Sequence, residues 1–148
     1  MYRTAALALA LLAACGPSGA PTGPAIYRDA AAPISSQVDV TAARLSGDWH
    51  VRVGPVLGPV VAGDRLRLDA LQAAGPGRFK VTRGPLSGRV LWVLWLDADN
   101  RTAALGSPDG KTALVLDRAP TGGADRIAAA RKIMAWQGYD MARLKTAG

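Results

Sequence analysis

The chain has 148 residues and no glutamate, and it holds one histidine, one phenylalanine and one cysteine. With a single cysteine, no disulfide can form within the chain, and no cysteine pair is available for a metal. His50, without glutamate or a second cysteine, gives no metal-ligand set. It also has no Ser-His-Asp or Cys-His arrangement around it, because Cys15 falls in the N-terminal segment. No apolar run reaches the ~20 residues that a membrane-spanning helix needs. No Arg/Lys run is interleaved with aromatics, so nucleic acid is not an expected partner. No glycine-rich phosphate loop precedes a helix. These absences point away from an enzyme, a cofactor and a metal.

The chain does contain a distinctive beginning. "MYRTAALALALLAAC" carries one positive charge at Arg3, an apolar stretch from Ala5 to Ala14, and then Cys15. A short apolar core behind a basic residue reads as a signal peptide over residues 1–14. "LAAC" (Leu12 to Cys15) resembles the lipobox of bacterial lipoproteins. That resemblance implies acylation of Cys15, palmitate included, as the first residue of the mature protein. Gly16 in place of aspartate after Cys15 implies sorting to the outer membrane, facing the periplasm. Two or three acyl chains anchor stably where one does not.

Residues 15–36, "CGPSGAPTGPAIYRDAAAPISS", are dominated by Pro, Gly, Ala and Ser and read as a flexible linker behind the anchor. Residues 37–148 remain as one small domain. The formal net charge is +7, from fourteen arginines and four lysines against eleven aspartates. In an exported, anchored protein an anionic lipid or lipopolysaccharide is the plausible counterpart of that charge. The plainer reading is arginines scattered over the solvent faces of strands.

Within the domain, "VDVTAARLSG" can form one short helical turn. "WHVRVG" alternates, with Trp49, Val51 and Val53 on one face and His50 and Arg52 on the other. "GPVLGPVVAGD" is a loop, "DRLRLDAL" alternates again, and "QAAGPG" reads as a turn. "RFKVTRG" sets Phe79 and Val81 against Arg78, Lys80 and Thr82. "RVLWVLWLD" is apolar on both faces and so requires cover on both sides. "RTAALGS" and "KTALVLDRAP" follow as strands around a "PDG" turn. From Thr121 the period changes to that of a helix. Ile127, Ala130 and Met134 form its stripe, Thr121 or Asp125 can cap its start, and Gly138 can close its end. "YDMARLKTAG" is a final short strand or extended tail.

The expected fold is therefore mainly β: a small antiparallel up-and-down barrel with one C-terminal helix packed outside. Four segments together resemble the lipocalins, in particular the bacterial outer-membrane lipocalins related to apolipoprotein D. They are Gly47-Asp48-Trp49 on the first strand, "LWLDADN" with Asp97 in its turn, "LDRAP" with Arg118, and "GYD" at Gly138 to Asp140. The resemblance runs from about Val38 to Lys145. It departs from the family in having Ala98 where the family has an aromatic residue and Ala119 where it often has threonine. It also has far fewer residues between Gly47 and Pro85, about one hairpin fewer. That implies a lipocalin-like barrel reduced to about six or seven strands, or left partly open. It also implies that Arg118 lies across the indole of Trp49 at a closed end.

The interior candidates for lining a ligand are Val51, Val53, Phe79, Val81, Leu91, Val93, Trp95, Ala104, Leu114 and Leu116. None is ionisable, and such a lining fits an acyl chain held by buried area. The expected function is a membrane-anchored lipocalin that binds or carries a small hydrophobic molecule, such as a fatty acid or lysophospholipid. The alternative is a structural envelope lipoprotein whose barrel is a filled core and whose surface contacts a protein or lipid partner.

Overall fold

In the computed structural model, residue 16 and residues 25–148 are described. Cys15 and the 1–14 signal segment lie outside them. The order is α1 (Ala42–Leu45), β1 (Gly47–Gly54), β2 (Arg65–Leu68), β3 (Leu71–Gly75), β4 (Arg78–Val81), β5 (Val90–Leu96), β6 (Thr102–Gly106), β7 (Ala113–Asp117), α2 (Ala124–Trp136) and β8 (Lys145–Thr146). A 3₁₀ turn at Met141–Arg143 precedes β8.

All pairings between strands are antiparallel, in the order β2-β1-β7-β6-β5-β4-β3, with β8 added to β1. The two end strands, β2 and β3, are consecutive in sequence and joined only by Asp69 and Ala70. So short a link spans at most ~11 Å between Leu68 and Leu71. The sheet therefore curls until its edges nearly meet at that end, a half-barrel tied by its own chain. Seven strands form the curled path, within the expected count, and β8 is a two-residue addition.

The inward side chains form one packed cluster. Trp49 and Val51 of β1, Leu66 and Leu68 of β2, Phe79 and Val81 of β4 and Leu91 and Val93 of β5 belong to it, as do Leu105, Leu114 and Leu116. The outer face of β5, β6 and β7 lies beneath α2. There Leu94, Ala104, Ala113 and Val115 meet Ile127, Ala130 and Met134. This explains why "RVLWVLWLD" is apolar on both sides, and why every residue of β6 and β7 is buried.

A register shift falls in β3 between Ala73 and Gly75, and two bulges move residues expected in the interior. One falls in β1 between Val51 and Val53, the other in β5 between Val93 and Trp95. A one-residue slip sends every later side chain to the other face. Hence Val53 and Trp95 belong to the helix side and not to the interior as the sequence alternation predicts. Ala104, also expected inside, lies on the helix side for another reason: β6 is unbroken, and with Ala103 and Leu105 inward its alternation turns Ala104 outward. At the β5 bulge, Gln37 takes the place of strand pairing. Its amide donates to the Val93 carbonyl at 2.7 Å, and its Oε1 accepts from the Leu96 amide at 2.9 Å.

Three further expectations are corrected. "QAAG" is not a turn but most of β3, paired with β4. Its exposed, small residues carry no alternation that would mark a strand. Helix α2 is capped neither by Thr121 nor by Asp125: its N-cap is Gly123, in the left-handed region with no side-chain hydrogen bond. Finally, residues 25–36 are docked against the domain, where composition alone reads a free linker. Tyr27 and Arg28 are buried. The Tyr27 amide donates to the Gly110 carbonyl at 2.8 Å, and the Asp29 amide donates to that of Gly138 at 2.9 Å. Arg28 donates to the carbonyls of Gln137, at 2.8 Å, and Pro108, at 2.9 Å. Tyr27 and Arg28 hold that segment down, and Ile34 packs against the helix-side cluster as well.

The end of α2 closes as expected at Gly138, whose φ is 90°. The Tyr139 amide returns to the Met134 carbonyl and the Gly138 amide to that of Ala135, both at 3.1 Å. This paired return is a Schellman closure. It aims Tyr139 inward, where its hydroxyl donates to the Ser107 carbonyl at 2.8 Å. A Cβ on Gly106 would lie 2.1 Å from that hydroxyl oxygen, so Gly106 is the socket for the ring. Burial raises the phenol from 10.0 to about 12. A raised pKa adds stability below the unfolded value, and that stability is lost as pH rises through the folded one. Wild type is expected to lose stability between pH 10 and about 12, and Tyr139→Phe to lack that loss. Denaturant midpoints across the window read the difference.

Candidate functional site: a plugged end and a basic mouth

The barrel has two unlike ends. At one end, α1 lies beside Trp49, which is fully buried. Its indole Nε1 donates to the Leu45 carbonyl at 2.8 Å. Thr41 caps α1 by accepting from the Arg44 amide at 3.3 Å. The Arg118 guanidinium lies 3.5 Å from the centroid of the Trp49 ring. It also donates to four carbonyls: Ser46 at 2.9 Å, Asn100 at 3.0 Å, Arg44 at 3.1 Å and Asp48 at 3.2 Å. Burial weighs against the Arg118 charge and lowers its pKa, while nearby Asp48 opposes that shift.

Gly47 is explained by the same contact. Its φ is 111°, and a Cβ there would lie 2.9 Å from Arg118 Nη1. Glycine is therefore required both by the backbone and by the arginine that crosses it. The Gly-x-Trp spacing and the distant Arg118 are parts of one plug.

Asp97 belongs to this end as well. Burial pushes its carboxyl up, but hydrogen bonds from the Thr102 and Arg101 amides and the Arg101 guanidinium outweigh that and hold it below 3.8. Its Oδ1 accepts from the Thr102 amide at 2.8 Å. The turn it shapes puts Asn100 at φ 56° and delivers the Asn100 carbonyl to Arg118. A depressed carboxylate pKa adds stability above the unfolded value, and this is lost as pH falls through the folded one. Asp97→Asn is expected to cost about 1–2 kcal/mol near neutrality. The gap from wild type should close progressively below pH 3.8. Urea midpoints over that range check it.

Beside this end is a cluster that sequence reasoning missed. The buried Asp117 carboxylate accepts from the Thr102 hydroxyl at 2.6 Å, the Arg126 guanidinium at 3.2 Å and the Ala119 amide at 2.9 Å. It pins the first turn of α2 to β6 and β7. Alternation in "ALVLD" puts Asp117 on the helix face with Ala113 and Val115, but nothing local names Thr102 and Arg126 as its partners.

The opposite end is the mouth. Here the β1–β2 loop, the β4–β5 loop, the β6–β7 turn and the N-terminal segment border a cleft of about 540 Å³. Its floor includes Val60, Leu86 and Leu114, which also belong to the packed interior. Val56 and Leu57 on its wall are exposed. Arg89, Lys111 and Arg143 supply positive charge. A second depression of about 510 Å³ adjoins it and shares Arg89, Lys111 and Thr112. The acid nearby is Asp109. Burial pushes it up, but the Ser107 hydroxyl, the Lys111 amide and the charges of Lys111 and Arg89 together hold it low.

Of the ten residues expected to line a ligand, the structure places only Leu114 at this cleft. Val51, Phe79, Val81, Leu91, Val93 and Leu116 face inward and pack on one another. Val53, Trp95 and Ala104 lie under the helix. The cleft residues Val56, Leu57, Arg89 and Lys111 sit in loops, where no period marks them. His50 is half-buried on β1, opposite Arg65 and Asp117 on the neighbouring strands. Among the described residues, no group of three or more His, Cys, Asp or Glu could hold a metal, and no helix is long and apolar enough to cross a membrane.

A curled antiparallel half-barrel with a plugged end, an open mouth and a helix against its outer face is consistent with a lipocalin-like fold. Residues 78–148, from β4 to the C-terminal end, match the family model of a lipocalin-like domain, which supports the lipocalin family. The match includes Asp97 and Arg118 and stops short of Gly47 and Trp49. No curated protein matches the chain.

Proposed function

We propose that this protein is an envelope lipoprotein of lipocalin type that binds a small amphiphile, a fatty acid or lysophospholipid, at its mouth. The observation that carries this reading is the cleft of about 540 Å³, apolar at its floor and edged by Arg89, Lys111 and Arg143. Its volume falls within the ~300–1,000 Å³ of small-molecule sites. An acyl chain would lie along Val56, Leu57, Val60 and Leu86, with its anionic head near the three cations. Lipocalins are in general binding proteins rather than enzymes, and no catalytic set was found in the sequence. The proposed location is the outer membrane, through acyl chains on Cys15, with the domain facing the periplasm.

The inward side chains are themselves fully packed, which favours a second reading. In it the barrel is a filled core, and the protein is a structural lipoprotein that contacts a protein or lipid partner.

Native mass spectrometry of the unacylated Cys15→Ser chain with a fatty acid and a lysophospholipid separates the two. A bound species at micromolar ligand that weakens in Lys111→Gln supports the carrier. No bound species leaves the filled-core reading. Trp95→Ala should leave binding unchanged, because Trp95 faces the helix. In cells, Cys15→Ser should release the protein from the membrane fraction; retention there would sink the anchor.

A further inference from the structure

The mouth carries apolar surface that the domain itself does not cover. Val56 is 60% and Leu57 81% exposed, at the tip of the Gly- and Pro-rich β1–β2 loop. Beside them on the same cleft are Arg89, Lys111 and Arg143. Two aliphatic side chains on a loop tip with a basic collar match a surface that is apolar below and anionic above.

The course of the chain adds a second, independent argument. Ala25 and Tyr27 border this same cleft. The polypeptide therefore joins the domain at the mouth and not at the Trp49 plug. Nine residues lie between Cys15 and Ala25, so ten Cα–Cα steps join them. Fully extended, those ten steps reach at most ~35 Å. An anchor at Cys15 would hold the domain by its mouth, within one domain's length of the bilayer.

We infer that the mouth is a membrane-docking face, with Val56 and Leu57 inserting into an anionic lipid surface and Arg89, Lys111 and Arg143 pairing with its headgroups. The orientation argument rests on the anchor reading above, whereas the docking chemistry does not. Asp109 is the opposing charge in the collar, and it is already engaged by Ser107 and Lys111. Docking turns the cleft toward the bilayer, so an amphiphile can pass between membrane and cleft without crossing water.

The test uses the full chain carrying Cys15→Ser, so that no acyl chain contributes. Binding is measured by co-sedimentation with mixed phosphatidylethanolamine–phosphatidylglycerol vesicles and with phosphatidylcholine vesicles. The proposal expects binding to the anionic vesicles, weakened by salt. It expects roughly tenfold or greater loss in the Val56→Ser, Leu57→Ser double variant and about fivefold loss in Lys111→Gln. All three changes are at exposed side chains, and unchanged melting temperatures verify the folds. Absence of binding to anionic vesicles overturns the proposal, as does equal binding by the double variant or equal binding to phosphatidylcholine. A chain that holds fatty acid in solution but ignores vesicles would refute docking and leave the ligand reading standing. Vesicle binding by a chain that takes up no fatty acid would do the reverse.

Discussion

Replacing Trp49 with alanine is expected to lower the melting temperature by about 10–20 °C, from a loss of about 3–5 kcal/mol. Trp49 has no exposed surface. Truncation removes a large apolar side chain from one end of a closed cluster. The neighbours can collapse onto the space only in part, because most of the cluster is held in paired strands. The Leu45 carbonyl loses its indole donor, and the Arg118 guanidinium loses the ring beneath it. Trp49→Phe separates these effects. It restores most of the buried area but not the hydrogen bond, and should cost about 1–2 kcal/mol. Calorimetry on the two variants decides the matter. A melting temperature unchanged in Trp49→Ala would mean that the plug carries no stability.

Arg118→Ala is the second large effect, expected at about 3 kcal/mol. A single guanidinium ties the end of α1, the start of β1 and the β5–β6 turn through four carbonyls. Some of these carbonyls will find water once the side chain is gone, which keeps the cost below four full hydrogen bonds. Lysine is not an adequate replacement: it keeps the charge but lacks the planar fork that reaches several acceptors while stacking on a ring. Arg118→Lys should therefore recover less than half of the loss. Coupling to Trp49 is expected too, since the two side chains touch. In a double-mutant cycle the combined loss should fall short of the sum by about 1 kcal/mol. Additive losses would show that the stacking contributes nothing.

Much of this architecture is legible in the chain. The alternation of "WHVRVG" and "RFKVTRG", the two-sided "RVLWVLWLD", and the change of period after Pro120 mark strands and helix correctly because one face of each is buried. The helix stripe of Ile127, Ala130 and Met134 is buried as its spacing predicts. What fails is parity. Alternation assumes an unbroken strand, and the bulges at Val51–Val53 and Val93–Trp95 break it. Gln37, far off in sequence, supplies the hydrogen bonds that make the second bulge tolerable. The β3 strand fails for the opposite reason: it buries almost nothing, so no hydrophobic pattern records it. The plug was readable only as a resemblance, because nothing local to Trp49 or Arg118 says that they meet. The mouth was missed, since its residues act by exposure in loops.

The strand order also sets a timetable. Strand β1 sits between β2, β7 and β8, so two of its three partners come from residues 113–117 and 145–146. The segment at Tyr27 and Arg28 waits longer still, for Gly138 to Asp140. A growing chain that has not reached Ala113 has only the four-residue β2 to pair with its longest strand. Contacts between distant residues form late. The β3–β6 strands can pair with their neighbours in sequence, but the second side of β1 stays open until β7 exists. For the exported lipoprotein proposed above, late closure of β1 would leave that strand unpaired on one side while the chain crosses a membrane.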